Sequence, residues 1–125
     1  MVKKVINHNK VEQEMPLDFK FILEELEGDN VLFFGIVDRF LHKVKIELTS
    51  LRNEIASYNS EAIVFIAHSI RGGASNLGLF KLAKLAFQLE KVNLTKNFSL
   101  QENYKISKEL AAELDYLTTY ISDYL

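Results

Sequence analysis

The stretch NVLFFGIVDRFLHKVKIELTSLRNEIASYN, residues 30–59, decides how the rest of the chain is read. Leu32, Ile36, Phe40, Val44, Leu48, Leu51 and Ile55 recur at steps of three or four. At roughly 100° per residue these positions line one face of a long amphipathic helix, and no strand-type alternation competes with them. Asp29 or Asn30 is placed to cap its start, and Asn59 with Ser60 supplies the next break and cap. Toward the N-terminus, Pro16 suits a helix opening, and LDFKFILEELEGD gives a short helix ending near Gly28. Residues 1–15 are expected to form a loosely ordered leader. Toward the C-terminus a helix over about 61–77 precedes Gly78, which permits a turn into LFKLAKLAFQLEKVN. Ser99 and Glu102 then form a capping box that opens the last helix. The predicted fold is all-α: an antiparallel up-and-down four-helix bundle with a short additional N-terminal helix, one domain over 16–125.

Composition narrows the function classes. The 125 residues are 48% hydrophobic and 26% charged, enough for one core and too few to suggest two domains. A formal charge of -2 gives no whole-molecule attraction to nucleic acid or to an anionic membrane. There is no cysteine, and three scattered histidines are too few for a closed zinc site. No apolar run approaches the roughly 20 residues of a membrane span, and the first 15 residues lack the hydrophobic middle of a secretory signal. The expected protein is a cytoplasmic monomer that binds neither nucleic acid nor membrane.

Within FIAHSIRGGASNLG, residues 65–78, two consecutive glycines interrupt a helix one turn after a histidine. Each costs about 1 kcal/mol relative to alanine in a helix interior, so the bare surface must serve some purpose. Ile63, Ile66, Ala67, Ile70, Ala74 and Leu77 share the core face, and His68 points nearly opposite. Glu61, Val64, Phe65, Arg71, Gly72 and Ser75 surround it on the outer side. Gly72, at i+4 from His68, leaves bare backbone beside the imidazole. Gly73 projects toward a neighbouring helix, where it permits close packing. The two glycines are therefore expected to have different jobs.

This is a nucleophile on a convex surface, with no cleft of its own, and its catalytic machinery has to arrive with a partner. Neutral imidazole attacks phosphorus to give a phosphohistidine, and an unperturbed pKa of about 6.5 leaves it largely neutral near pH 7. Arg71 can then offset charge on the transferring phosphoryl oxygens.

The segment AHSIRGGASNLGLFKLAKLAFQLE, residues 67–90, closely resembles the signature of histidine-containing phosphotransfer (HPt) domains. It has the histidine, a basic residue at i+3, glycine at i+4, small residues, Leu-Gly, and a leucine-spaced helix ending Leu-Glu. LEELEGDNVLFFGIVDRFLHKV is also similar to the helices that open the family's bundle, with Phe40 at the aromatic core position. The resemblance extends over roughly 16–125. It implies that His68 is the phosphoryl acceptor through Nε2, that Arg71 stabilises charge, and that Gly72 gives the partner access. The implied role is a phosphorelay intermediate. It takes a phosphoryl group from an aspartyl phosphate on a response-regulator receiver domain and passes it to another receiver. A hybrid sensor histidine kinase is a further implied partner. The domain itself binds no cofactor, and Mg²⁺ comes with the receiver. Arg71 stands where lysine is more usual, keeping the charge but not the point geometry, and Gly73 where serine, alanine or asparagine is common.

Other residues keep two readings. Val64 and Phe65 are either core-edge residues or part of a docking face. Lys81, Lys84 and Lys91 are a solvated helix face or a means of steering an acidic partner. Ser75 is a small surface residue or a contact to the phosphoryl group. His8 and His42 read as ordinary solvated histidines. GGASNLG lacks the Gly-Lys-Ser/Thr ending of a nucleotide loop. A chain of 125 residues leaves no room for an ATP-binding domain beside the bundle, so no autokinase activity is expected. The alternative function is a non-relaying helical module that docks on receiver or kinase domains. A metal-dependent hydrolase would need inward Glu and His pairs on facing helices, and the sequence offers no such set.

Overall fold

The computed structural model describes residues 30–95 and 97–123. The short helix expected near 16–28 and the leader before it lie outside the described residues. Four α-helices account for nearly all of what is described: α1 (Asn30–Ala56), α2 (Ser60–Asn76), α3 (Phe80–Leu94) and α4 (Leu100–Ser122). Packing runs around a ring, α1 against α2 and α4, and α3 against α2 and α4, so all four helices enclose one core. No helix among the described residues is long and apolar enough to cross a membrane.

Each boundary has a local cause. At the end of α1, Asn59 N–H donates to Glu54 O at 3.0 Å and Tyr58 N–H to Ile55 O at 3.1 Å. That pattern closes a helix through a left-handed residue, here Tyr58 at φ 56°. The same pair of bonds ends α2, from Leu79 to Ala74 at 2.9 Å and from Gly78 to Ser75 at 3.2 Å. Gly78 takes the left-handed position at φ 72°, as its lack of a Cβ allows. Asn59 caps α2 by accepting from Ala62 N–H at 3.2 Å, and Ser99 caps α4 by accepting from Glu102 N–H at 3.2 Å. Tyr58 and Phe98 bring the first and third turns together, ring centroids 5.0 Å apart. Asn93 Nδ2 donates to Asn103 Oδ1 at 2.7 Å inside the same end of the bundle, fixing α3 on α4.

The core stripe of α1 differs from the expected one in its first turns. Phe33, Phe34, Val37 and Leu41 are buried, whereas Leu32 is exposed and Ile36 and Phe40 are only partly covered. Seven apolar or glycine residues in a row, 31–37, allow either choice, and the geometry of stepping decides. A step of four residues overshoots a full turn by roughly 40°, so the run 32, 36, 40, 44 drifts around the helix. Phe34, Val37, Leu41, Val44, Leu48, Leu51 and Ile55 alternate steps of three and four, hold one face, and are all buried. Phe40, displaced from the centre of that face, packs at its edge against α2.

Candidate functional site

On α2, Ile63, Ala67, Ile70 and Ala74 are buried, and Ile66 and Leu77 pack at the core margin. This fixes the helix rotation, and His68 faces outward with its side chain 67% exposed. Phe65, one turn away, is 77% exposed, the outer of the two alternatives for that residue. Val64 is half-buried and Ser75 is exposed on the same helix. A Cβ at Gly72 would meet nothing within 4 Å, so the surface beside the imidazole is open. A Cβ at Gly73 would run into Cε1 of Phe40 and sit 2.9 Å from its Cζ. The paired glycines thus divide as the helical projection predicts: one bares the outer face, the other seats an aromatic ring.

The imidazole does not stand free. Glu90 reaches it from α3, with Nδ1 of His68 2.9 Å from Glu90 Oε1. Arg71 holds the same carboxylate, its Nε donating to Oε2 and its Nη2 to Oε1 at 3.4 Å. Glu90 is only 7% exposed, and a buried carboxylate needs such donors to remain charged. Burial pushes its carboxyl up, but the hydrogen bonds and charges of Arg71 and His68 outweigh that and leave it below the ordinary glutamate value. An ionised carboxylate only accepts, so the His68 contact places the ring proton on Nδ1. Nη2 of Arg71 lies 3.0 Å from Nδ1 because both donors converge on one oxygen. Nε2 is left with its lone pair, the form in which imidazole is a nucleophile.

Tautomer alone does not make a site. His42 on α1 donates from Nδ1 to the Asp38 carbonyl at 2.8 Å and so carries the same tautomer, also exposed. Its nearby carboxylate is Asp38, at 3.6 Å and one-third exposed, and among the described residues no arginine bonds to that carboxylate; position i+4 is Ile46, not a glycine.

The other residues singled out in the sequence spread farther. Lys84 is exposed on α3. Lys81 pairs with Glu113 of α4 at 3.7 Å, nine residues before Glu90 and so about 13 Å from it along α3. His68, Arg71, Gly72 and Phe65 form one neighbourhood, which does not include Lys81. Glu90 had no role assigned from sequence, yet a signal existed. Ala86, Leu89, Glu90 and Asn93 share one buried stripe, and a carboxylate on such a stripe requires a partner. Phe87 carried no comparable mark. Its ring centroid lies 5.3 Å from the Arg71 guanidinium carbon and 5.6 Å from Lys91 Nζ.

A family model for the Hpt domain matches residues 35–120, and the chain belongs to the Hpt domain family. Domains of this family take part in the phosphorelays of two-component signalling, where they work with response-regulator receiver domains. Comparison with curated proteins and with solved structures gave no match.

Proposed function

We propose that this domain is a phosphorelay intermediate that carries the phosphoryl group on Nε2 of His68 between receiver domains. The observation that carries the reading is the Nδ1 contact to Glu90, which turns the lone pair of Nε2 outward on an open face. In the forward step the Nε2 lone pair forms a P–N bond as the P–O bond to the receiver's aspartate breaks, and the carboxylate leaves with that bond's electron pair. The Nδ1 proton stays on the ring, where Glu90 balances the positive charge that the imidazole acquires. Reversal onto a second receiver's carboxylate regenerates neutral His68. The receiver supplies Mg²⁺ in its own acidic pocket, and this domain supplies the nucleophile, Arg71 and the docking face. Gly72 lets the partner's backbone approach, and Phe65 with Val64 forms the apolar part of the contact, with Ser75 and Lys84 at its rim. The three-residue turns at 57–59 and 77–79, the five-residue connection at 95–99 and the seating of Phe40 on Gly73 favour successive helices that run antiparallel. The domain acts as a monomer in the cytoplasm.

The test is to mix the protein with Mg²⁺ and a receiver carrying labelled aspartyl phosphate, then measure acid-labile, alkali-stable label on the domain. The expected result is label on wild type and on His42→Gln, and none on folded His68→Gln. Label that survives the His68 change removes the site assignment. A folded wild type that docks on receivers but never takes label supports the non-relaying module instead.

A further inference from the structure

Arg71 has two tasks that compete for one side chain. Nε and Nη2 are committed to Glu90, whereas Nη1 has no protein partner among the described residues and is the edge left for phosphoryl oxygens. A guanidinium serves both only if its plane is fixed, because rotation about the side chain's last bonds would trade one set of donors for the other. Two carboxylate contacts orient one edge of the guanidinium, but the longer of them is 3.4 Å and leaves the plane open to tilting. The side chain is about one-third exposed, so water competes for every N–H it presents.

Phe87 packs against the face of this guanidinium. It lies on α3 one turn before Glu90, so the helix that presents the carboxylate also presents the ring. The guanidinium carbon is 5.3 Å from the ring centroid, within the range in which the negative face of an aromatic ring attracts a cation. We propose that Phe87 is a positioning residue for phosphoryl transfer: its ring is the platform that fixes the Arg71 guanidinium while Glu90 holds one edge of it. The inference rests on the phosphorelay reading for what Arg71 does, but its geometric content is independent of that reading. Lys91, the second cation near the ring, is exposed at the end of α3 and, among the described residues, forms no ion pair with Glu90, so it is a competitor for the ring and has no share in the cluster.

Phe87 is itself half-exposed, and replacing it need not unfold the bundle. The variants are Phe87→Leu, which keeps apolar bulk without a π face, and Phe87→Tyr, which keeps the face. Two quantities are read on each: exchange of the Arg71 Nε–H proton with water by NMR, and single-turnover transfer from a labelled receiver. Phe87→Leu should speed the exchange and slow transfer by about two- to five-fold, the size of one exposed cation–π contact. Phe87→Tyr should restore both. In an Arg71→Gln background the Leu change should have no further effect on transfer. Equal slowing with and without Arg71 overturns the proposal, because Phe87 would then act as a docking contact for the receiver. Unchanged Nε–H exchange in Phe87→Leu also overturns it, because the ring would not be holding the guanidinium. If wild type takes label from no receiver, the phosphorelay reading fails and the transfer role of Phe87 falls with it, whatever the Arg71 resonance shows.

Discussion

Gly72 and Gly73 are neighbours in sequence and opposites in space. Around Gly72 there is open solvent, with His68 one turn before it. Around Gly73 there is the ring of Phe40, so close that no side chain fits. One step of roughly 100° along a helix carries the chain from an open outer surface to a seam that holds a ring of its own core. The same residue type therefore gives opposite expectations for fold and for transfer, and substitutions at the two positions separate them.

The largest expected effect on stability is at Gly73. Gly73→Gln has to expel the Phe40 ring from its seat, and overpacking of this kind costs about 1–3 kcal/mol, partly offset by the better helix propensity of glutamine. Thermal unfolding should show a lowered Tm. The same substitution in a Phe40→Ala background should cost much less, because the clash has been removed. A Tm unchanged from wild type in the single variant would mean that the α1–α2 seam is looser than the structure shows.

Gly72→Gln should do the reverse. Its Tm should hold or rise, since replacing a helix glycine is worth roughly 0.5–1 kcal/mol. Transfer from a receiver should be blocked by the side chain that now covers the approach to His68. A small phosphodonor such as acetyl phosphate, if it labels wild type, should still label the variant, because no protein surface has to dock. Loss of reactivity toward both donors would place the fault in the site itself.

A smaller effect, readable in the pH dependence of stability, comes from two buried glutamates among the described residues, Glu90 near the end of α3 and Glu113 on α4 opposite its start. Glu90 and Glu113 are similarly covered, at 7% and 10% exposure. Two donors hold Glu90 below the ordinary glutamate value, whereas Glu113 has one lysine at 3.7 Å and burial pushes its carboxyl up. For Glu90, with a folded pKa below the unfolded one, the stabilisation is present above the ordinary glutamate range and is lost as pH falls through the folded value. For Glu113 the sign is opposite: its relative stabilisation is complete below the ordinary range and disappears as pH rises through the raised value. Glu90→Gln should therefore lower stability at neutral pH and Glu113→Gln should raise it, with both differences shrinking in acid. Denaturant titrations at a series of pH values check this. Upward shifts in both would show that burial, and not the number of donors, sets both groups.

The sequence carried some of this and not the rest, for physical reasons. The rotation of α2 was legible because Ile63, Ala67, Ile70 and Ala74 define its inner face sharply, and from them follow the outward His68 and the different surroundings of the two glycines. The start of α1 was not, since apolar side chains surround the helix there and periodicity selects no single face. Glu90 is 22 residues from His68 on another helix, and its meeting with the imidazole depends on how α3 packs against α2. A charged residue on a buried stripe announces that it has a partner, but not which one. Phe87 gave no sign at all, because a half-exposed aromatic on a helix surface is ordinary until an arginine is found against it.

On the proposed reading, Glu90 holds the Nδ1 proton of His68 and so leaves Nε2 as the nucleophile. The direct measurement is a long-range ¹H–¹⁵N NMR spectrum of the histidine rings at neutral pH, recorded before and after phosphorylation by a receiver. His68 should be in the Nδ1–H tautomer before transfer, with phosphorus bonded to its Nε2 afterwards and His42 unchanged throughout. An Nε2–H tautomer in the resting protein, or phosphorus on Nδ1, would contradict it.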